Sequence, residues 1–423
     1  MFLSVLLVMM MMVRWTEAGY TGTVLSHTSK DVQGNIHTTV HRFKFGHSSC
    51  GELESWLCSG CTQKIDESSG EWCLREYTTW GSWSFNYYNY GWYYGIYWIN
   101  NRNGISSPVT QMFVEGRKRS DINRPNSSPQ TGILPVMRVP SNCQRNINLL
   151  TFDPDGDHVQ CRHGSGSDEC STCTPPSVLS LSSSCSLSFS PTNSSDEGSY
   201  AVQLVMEDFP SQTINMTDYT GSTVSINSSS SMSRIPVQFV FKVDPAAPSC
   251  TAGEYLPRFL PPTPEHGAQF FINVNEMIEI NIRAEATQSV ITELLFSGPF
   301  NMIKNSSGSG NFTLRWTPSD SQNDDNESHP ICFVVQATAS SSIYQSELRC
   351  VIVRVGNIPF IATPSPPKTS RLTVLKLKIS TTLSLKDNKD KIEKAIKDEL
   401  IRRGLPPDIK VRLLSDGSVK VNN

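Results

Sequence analysis

The sequence has little net charge, few histidines and none of the short motifs that mark common enzyme active sites. Its 423 residues carry 36 Lys and Arg against 39 Asp and Glu, a formal net charge of −3. Nucleic-acid binding needs clustered Lys and Arg that neutralise phosphates, so this balance argues against DNA or RNA as a partner. No H-E-x-x-H zinc motif, phosphate-binding Gly-rich loop or dinucleotide fingerprint occurs, and residues 46–51 miss the G-x-S-x-G spacing by one position. We predict that the protein is not an enzyme.

Long hydrophobic runs are also missing beyond the N-terminus. Met1 to Val13 is apolar apart from Ser4, and Thr16 and Ala18 provide the small residues of a signal-peptidase site. The run is short for a membrane-anchoring helix, which is the alternative interpretation. We predict a signal peptide over residues 1–18 and an extracellular protein, secreted or at the cell surface. This chain then has no membrane span, and a surface protein would need an anchor beyond Asn423.

Cysteine is plentiful, and the even number of 12 suits six disulfides in an exported chain. Two Cys-x-x-Cys pairs would allow zinc or redox chemistry, but they lie far apart and no βαβ pattern surrounds them. Cys332 and Cys350 fall on neighbouring predicted strands, so we expect them to pair. Cys250 is then left to pair back into residues 136–248. The predicted disulfide cysteines are Cys50, Cys58, Cys61, Cys73, Cys143, Cys161, Cys170, Cys173, Cys185, Cys250, Cys332 and Cys350.

Asn-x-Ser/Thr sequons are the second mark of an exported chain. Most lie in stretches rich in Ser, Asn and Gly, where exposed loops are expected. We predict N-glycans at Asn126, Asn193, Asn215, Asn227, Asn305, Asn311 and Asn326.

Strand patterns dominate up to residue 356, and they divide into three regions. Residues 19–135 form a β-rich, aromatic, disulfide-containing domain, in which we expect residues 92–100 to form a hairpin with residues 107–115. Residues 136–248 predict a sandwich whose Asp196-Glu197-Gly198-Ser199-Tyr200 segment is typical of a tyrosine corner. Residues 249–356 predict a second sandwich. The predicted fold is mainly β, with tandem antiparallel sandwiches.

The character of the sequence changes after a Pro-rich linker at residues 357–370. Residues 387–403 have apolar side chains at helical spacing, and strands are expected at 372–379, 409–414 and 419–421. Residues 371–423 therefore predict a small α/β fragment, too short to bury a large core.

Several of these motifs together resemble a family of fish extracellular multidomain glycoproteins. The resemblance covers about residues 20–356 and lies in the segments 139–144, 153–157, 174–177, 312–318 and 329–333. The Asp-Pro-Asp-Gly-Asp turn at 153–157 is similar to that of cadherin-like and Ig-like domains, and residues 392–406 look like half of a SEA-like module. The resemblance implies an exported or membrane-anchored ectodomain and transfers no binding residues.

The turn at residues 153–157 is the one candidate metal site. Asp153, Asp155 and Asp157 alternate along it, and calcium prefers carboxylate and carbonyl oxygens. The Glu and loop length of an EF-hand are missing, and Asp-Gly is also an ordinary turn signal, so a purely structural turn is the competing interpretation. The basic stretch Arg117-Lys118-Arg119 predicts a solvated turn. No other cofactor is expected.

An aromatic block between Tyr77 and Trp98 offers a candidate contact surface. Alternation along a strand would leave half of its rings outside one core, and Trp and Tyr provide large contact area at low entropy cost. The other interpretation is that these rings form the core of the domain and pair across neighbouring strands. The candidate ligand contacts are Trp80, Trp83, Trp92 and Trp98.

Two hypotheses follow from the sequence. The first is an adhesion or recognition ectodomain whose partner is an extracellular protein or glycan. The second is a structural component of an extracellular matrix, mucus or egg coat that has no specific ligand. A soluble monomer with a discrete partner would favour the first, and self-association would favour the second.

Overall fold

The structure is a computed structural model that describes residues 19–33, 36–47, 63–66, 71–82, 85–89, 96–319, 327–356, 410–413 and 419–422, with Asp390, Glu393, Lys394 and Lys397. The chain divides into two compact units, Met1–Pro359 and Phe360–Asn423. Regular structure in the described residues of the first unit is almost entirely β-strand, as predicted.

The N-terminal strands form an antiparallel ribbon of sheet in the order β1-β2-β4-β3. Alternating β-branched, aromatic and polar residues from Thr39 to Phe45 favour this extended conformation. The strands of this part are β1 (Gly22–Gln33), β2 (Ile36–Gly46), β3 (Gln63–Asp66), β4 (Cys73–Ser82), β5 (Phe85–Asn89), β6 (Gln111–Glu115) and β7 (Lys118–Arg119). The sequence prediction placed β6 in a hairpin with residues 92–100, whereas β6 pairs with β5 and with β16.

The first sandwich has the strand arrangement of an immunoglobulin-like domain. Its strands are β8 (Val136–Pro140), β9 (Arg145–Asn148), β10 (His158–His163), β11 (Leu179–Leu181), β12 (Ser186–Phe189), β13 (Gly198–Phe209), β14 (Ile214–Thr217), β15 (Thr223–Ile226) and β16 (Ser233–Asp244). One sheet has the order β9-β12-β11 and the other contains β10-β13-β16, which correspond to strands B-E-D and C-F-G. The predicted tyrosine corner is present, because the Tyr200 hydroxyl donates to the Asp196 carbonyl at 2.9 Å.

The N-terminal strands and the first sandwich share a sheet across residue 135, where the sequence predicted a domain boundary. Strand β16 is 12 residues long, and β13 covers only one of its edges. Along the other edge it pairs with β6, then with β1, then in parallel with β8. The N-terminal strands therefore join the C-F-G sheet and make one sheet of ten strands. The second edge of β16 would otherwise leave its backbone groups unpaired, and the N-terminal strands satisfy them.

The second sandwich repeats this topology with its own core. Its strands are β17 (Arg258–Leu260), β18 (Ala268–Ile272), β19 (Ile278–Glu285), β20 (Val290–Ser297), β21 (Ile303–Gly308), β22 (Asn311–Trp316), β23 (Ser328–Ala339), β24 (Ser342–Gln345) and β25 (Arg349–Val355). The orders β17-β19-β22-β21 and β18-β25-β23-β20 correspond to A-B-E-D and a C-F-G sheet. Alternation in β19 buries Ile278, Ile280 and Ile282 against Phe333 and Val353 of the facing sheet.

Disulfides tie these parts together. The predicted pair Cys332–Cys350 joins β23 to β25, and Cys143–Cys250 links the two sandwiches, as expected for Cys250. Cys161 pairs with Cys185 and Cys170 with Cys173, so the second Cys-x-x-Cys motif is a disulfide here. Cys73 is also disulfide-bonded. Cys50, Cys58 and Cys61 lie outside the described residues.

The second unit is described in part. Strands β26 (Lys410–Leu413) and β27 (Val419–Asn422) pair as an antiparallel hairpin, at the positions where strands were predicted. Within the predicted helix 387–403, the four described residues are helical. The strand predicted at residues 372–379, the signal peptide and the linker lie outside the described residues, so the α/β module remains a prediction.

Candidate functional site

Five aspartates and two arginines meet beside the first sandwich, and we call them the carboxylate cluster: Asp121, Asp153, Asp155, Asp157, Asp208, Arg119 and Arg124. The turn between β9 and β10 supplies Asp153, Asp155 and Asp157, and β13 supplies Asp208. Strand β7 and the loop after it supply the rest. The pairing of β7 with β14 directs Arg119 into the cluster.

Arg119 is the central cation of this cluster. Its side chain is 1% exposed, and it donates to both carboxylate oxygens of Asp121 at 3.0 and 2.7 Å. It also donates to both oxygens of Asp157, at 3.0 Å to Oδ1, and to Oδ1 of Asn126. The prediction of a solvated turn at residues 117–119 is therefore wrong for Arg119. The planar guanidinium presents its donors as a rigid fork, which suits contacts with several carboxylates at once.

Asp155 is fully engaged by other partners. Arg124 donates to its Oδ1 at 2.6 Å, and the Ser127 amide donates to its Oδ2 at 2.7 Å. Asp153 uses Oδ1 to accept from the amides of Asp155 and Asp157 at 2.8 and 3.3 Å, which closes an Asx turn around Gly156. The other oxygen of Asp153, Oδ2, is buried and has no hydrogen-bond partner among the described residues.

Asp208 completes the cluster from the neighbouring strand. Its Oδ1 accepts from the Ser233 amide at 2.7 Å, and its Oδ2 accepts from Nδ2 of Asn126 at 2.5 Å. Nδ2 of Asn126 also donates to Oγ of Ser233 at 3.0 Å, and Asn126 is 0% exposed. Because a glycan would occupy this same Nδ2, the predicted glycosylation of Asn126 is incompatible with the folded structure.

Burial raises the pKa of three of these aspartates, Asp153, Asp155 and Asp208. Burial, and then the negative charge of Asp208, hold the pKa of Asp153 well above its usual value. Burial raises the pKa of Asp208 to about 7, although the hydrogen bond from Asn126 opposes the shift. The cluster contains more carboxylates than guanidinium groups, so an extra proton on the Asp153–Asp208 pair relieves its surplus negative charge.

The folded chain brings together a different set of aspartates from the three that the sequence predicted as calcium ligands. Asp153, Asp157 and Asp208 each bring one carboxylate oxygen within 4.8 Å of the others, whereas Asp155 is not part of this group. Calcium takes six to eight oxygen ligands. Both oxygens of Asp157 already accept from Arg119, so a calcium ion would have to displace the guanidinium. Calcium binding here stays a prediction.

The aromatic block is only partly described, and the described part is core. Trp98 is 5% exposed and packs edge-on against Tyr20, with ring centroids 4.6 Å apart. Trp98 is thus covered by the segment that precedes β1, which does not suit the predicted ligand contact. Trp83, Trp92 and the side chain of Trp80 lie outside the described residues.

A hairpin that the sequence did not single out projects from the connection between strands F and G. Strands β14 and β15 form this FG hairpin, residues 214–226, which exposes 56% of Tyr219 and 47% of Val224. Oδ1 of Asp218 fixes the turn by accepting from the Thr220 amide at 2.9 Å, the Thr220 hydroxyl at 2.6 Å and the Ser222 amide at 3.0 Å. The Asp218-Tyr-Thr-Gly turn was the available sequence signal.

The remaining sequons differ in exposure. Asn193, Asn215, Asn227 and Asn305 are exposed, and Asn311 is half-buried. Asn326 lies outside the described residues. Asn215 and Asn227 lie on the FG hairpin and immediately after it.

Among the residues that the structure describes, no helix is long and apolar enough to cross a membrane.

Comparison with known proteins yields remote structural matches. No protein-family model matches the chain, and no curated protein matches it. Titin domains Z1Z2, in a complex with telethonin, are 11% identical over 55% of this chain and 98% of that chain, at a TM-score of 0.17. Murine CEACAM1b is 12% identical over 53% and 99% of the two chains, at 0.15. An endo-fucoidan hydrolase of glycoside hydrolase family 107 is 12% identical over 79% and 39%, at 0.19. Such low scores support no inference about function, so the fold assignment rests on the strand order.

Proposed function

We propose that this protein is a non-enzymatic extracellular ectodomain that acts in recognition or adhesion and contacts a protein partner through the FG hairpin. The observation that carries the proposal is the exposure of Tyr219 and Val224 on a turn that Asp218 holds rigid. The disulfides of the first unit support an oxidising, extracellular location.

The position of the hairpin supports a binding role. Immunoglobulin-like sandwiches gather their loops at the two ends, and the F–G loop is one of those that bind ligands in variable domains. A tyrosine has only two side-chain torsions, so it provides contact area at low cost in conformational entropy. A turn already fixed by hydrogen bonds lowers that cost further. The exposed Tyr and Val side chains favour a protein surface over a glycan.

A binding screen with the disulfide-intact protein tests this proposal. The protein would be displayed in multivalent form on fluorescent beads and tested against a panel of individually expressed extracellular proteins and, separately, a glycan array. We expect a protein hit whose affinity falls at least tenfold in Tyr219→Ala. Tyr97→Ala is the matched control, because Tyr97 is 61% exposed and lies outside the hairpin. Binding that survives Tyr219→Ala, or hits confined to glycans, would refute the hairpin assignment.

The alternative function, a structural component of a matrix, mucus or egg coat, predicts self-association. Sedimentation velocity over a wide concentration range distinguishes the two. A monomer at all concentrations supports recognition, whereas reversible growth into large assemblies supports the structural role.

A further inference from the structure

A small cavity lies where the N-terminal sheet packs against the second sandwich, and we call it the junction cavity. Its volume is about 50 Å³, and the charged or titratable side chains that line it are Arg42, Lys44, Arg75, Glu76 and His329. Strand β2 supplies Arg42 and Lys44, β4 supplies Arg75 and Glu76, and β23 supplies His329. Three of these five groups are Lys or Arg.

The neighbouring carboxylates are already paired. Arg42 lies between Glu76, at 2.9 Å, and Glu327, at 2.5 Å. Lys30 contacts the other oxygen of Glu327 at 2.6 Å, and the side chain of Glu327 is only 1% exposed. Both glutamates therefore have cationic partners that hold them, and neither forms an ion pair with Lys44.

Lys44 is the cation without a carboxylate partner. Its Nζ donates to Oγ of Ser297 at 2.8 Å, and no described carboxylate oxygen lies within the 4.0 Å of an ion pair. The residue is half-buried, and its ammonium group is enclosed. Burial, and then the charge of Arg42, lower the pKa of Lys44 to about 7. An enclosed ammonium group whose one partner is a neutral hydroxyl regains little of the free energy that it loses by leaving water.

His329 provides a neutral group beside these cations. It is 4% exposed and packs against Trp316 with ring centroids 4.7 Å apart. Burial, and then the charge of Arg42, hold its pKa well below the usual value. The ring thus adds no positive charge near neutral pH.

We propose that the junction cavity binds a small oxyanion group, a carboxylate or a sulfate, whose oxygens accept hydrogen bonds from Lys44. The anion would supply the negative charge that Lys44 lacks, and it would contact strands of both the N-terminal sheet and the second sandwich. The cavity has room for more than one water-sized group, which is enough for a small oxyanion. The proposal is independent of the FG hairpin.

The site has a defined pH dependence. Lys44 loses its proton as the pH rises through about 7, so anion binding weakens between pH 6 and pH 8. The other charged or titratable groups that line the cavity are Arg42, Arg75, Glu76 and His329, and Glu327 pairs with Arg42 and Lys30. Arginines keep their charge throughout this range.

Thermal unfolding of the full disulfide-intact chain tests the site, with sodium sulfate and sodium acetate as probes. Sodium chloride at matched ionic strength provides the reference, and the measurements are made at pH 6 and pH 8. We expect sulfate or acetate to raise the melting temperature above the chloride reference at pH 6, and to raise it less at pH 8. Isothermal titration at pH 6 should show an affinity at least tenfold weaker in Lys44→Met.

Two further variants keep the result interpretable. Lys44→Arg retains the charge and should retain binding. Lys304→Met removes a lysine of the second sandwich that pairs with Glu293 outside the cavity, and it should bind as the wild type does. Equal melting temperatures in sulfate, acetate and chloride at pH 6 would overturn the proposal. So would an anion-dependent rise that persists unchanged in Lys44→Met.

Discussion

The guanidinium group of Arg119 shows what a single residue does in this protein. It contacts Asp121, Asp157 and Asn126, and it lies 3.8 Å from Asp155. These contacts tie the loop after β7 to the turn between β9 and β10. Removing one partner of such a buried network leaves uncompensated charge, which typically costs about 3–5 kcal/mol. The carboxylate cluster therefore has a structural role, because it holds these two segments together.

Asp153→Asn should stabilise the protein at neutral pH. The pKa of Asp153 is raised in the folded chain, so above about pH 4 the folded state holds a proton that the unfolded state releases. Wild-type stability therefore falls as the pH rises from about 4 towards 7. The variant has no such proton, and its side-chain oxygen can still accept from the amides of Asp155 and Asp157.

Urea unfolding from pH 4 to pH 7.5 measures this effect, with and without calcium. We expect the variant to gain on the wild type with rising pH, by at most about 1.4 kcal/mol per pH unit for the one proton involved. If calcium instead stabilises the wild type and Asp153→Asn abolishes that stabilisation, the calcium prediction is correct and the shared proton is not.

Glycan occupancy should follow side-chain exposure. We expect glycans at Asn193, Asn215, Asn227 and Asn305, which are exposed, and none at Asn126, whose amide is buried. Glycopeptide mass spectrometry after enzymatic deglycosylation in heavy-oxygen water identifies the modified residues. A substantial glycan fraction at Asn126 would mean that the loop after β7 does not adopt this packing.

At the scale of elements, the N-terminal strands carry a buried row of rings. His27 on β1 lies opposite His41 on β2, which lies opposite Tyr77 on β4. The His41 and Tyr77 rings stack with centroids 4.8 Å apart. Burial lowers the pKa of His27 to about 3 and that of His41 well below its usual value. Both histidines thus stay neutral in the folded sheet.

This row should make the N-terminal sheet sensitive to acid. Below pH 6.5 the histidines bind protons in the unfolded chain but stay neutral in the folded chain. The stability that these groups contribute is therefore lost as the pH falls from 6.5 towards 3. His27→Leu should remove up to about 1.4 kcal/mol per pH unit from the slope of unfolding free energy against pH. His158→Leu, at an exposed histidine of β10, is the control. Equal slopes in wild type and His27→Leu would contradict the effect.

At the scale of the whole first unit, disulfides hold together sheets that are distant in sequence. Cys143 and Cys250 are 107 residues apart, whereas Cys170 and Cys173 are 3 apart. A cross-link stabilises mainly by restricting the unfolded chain, and the effect grows with the length of the closed loop. The link between the sandwiches therefore has the larger expected effect.

Removing the long-range disulfide should cost more than removing the short one. From the lengths of the closed loops, we expect the free energy of unfolding to fall by about 4–5 kcal/mol in Cys143→Ser with Cys250→Ser. The expected fall is about 2 kcal/mol in Cys170→Ser with Cys173→Ser. Urea unfolding monitored by tryptophan fluorescence measures both variants. Equal losses would show that native-state contacts, and not the restriction of the unfolded chain, determine the effect of these disulfides.

The sequence by itself determined the features that depend on neighbouring residues. Alternating side chains identified most strands of both sandwiches, and the Asp196–Tyr200 segment identified the tyrosine corner. The Cys332–Cys350 pair followed from two adjacent strands. Strand alternation and turn chemistry act over a few residues, so they can be read directly from the chain.

Only the tertiary structure decided the pairings between distant segments. Strand β16 receives β1, β6 and β8 along one edge through backbone hydrogen bonds, which carry no side-chain signature. Arg119, Asn126 and Asp208 meet only after folding, and the burial of Trp98 depends on Tyr20. The charge balance around a buried group depends on which segments pack against it. The carboxylate cluster and the junction cavity are therefore properties of the fold and not of any local motif.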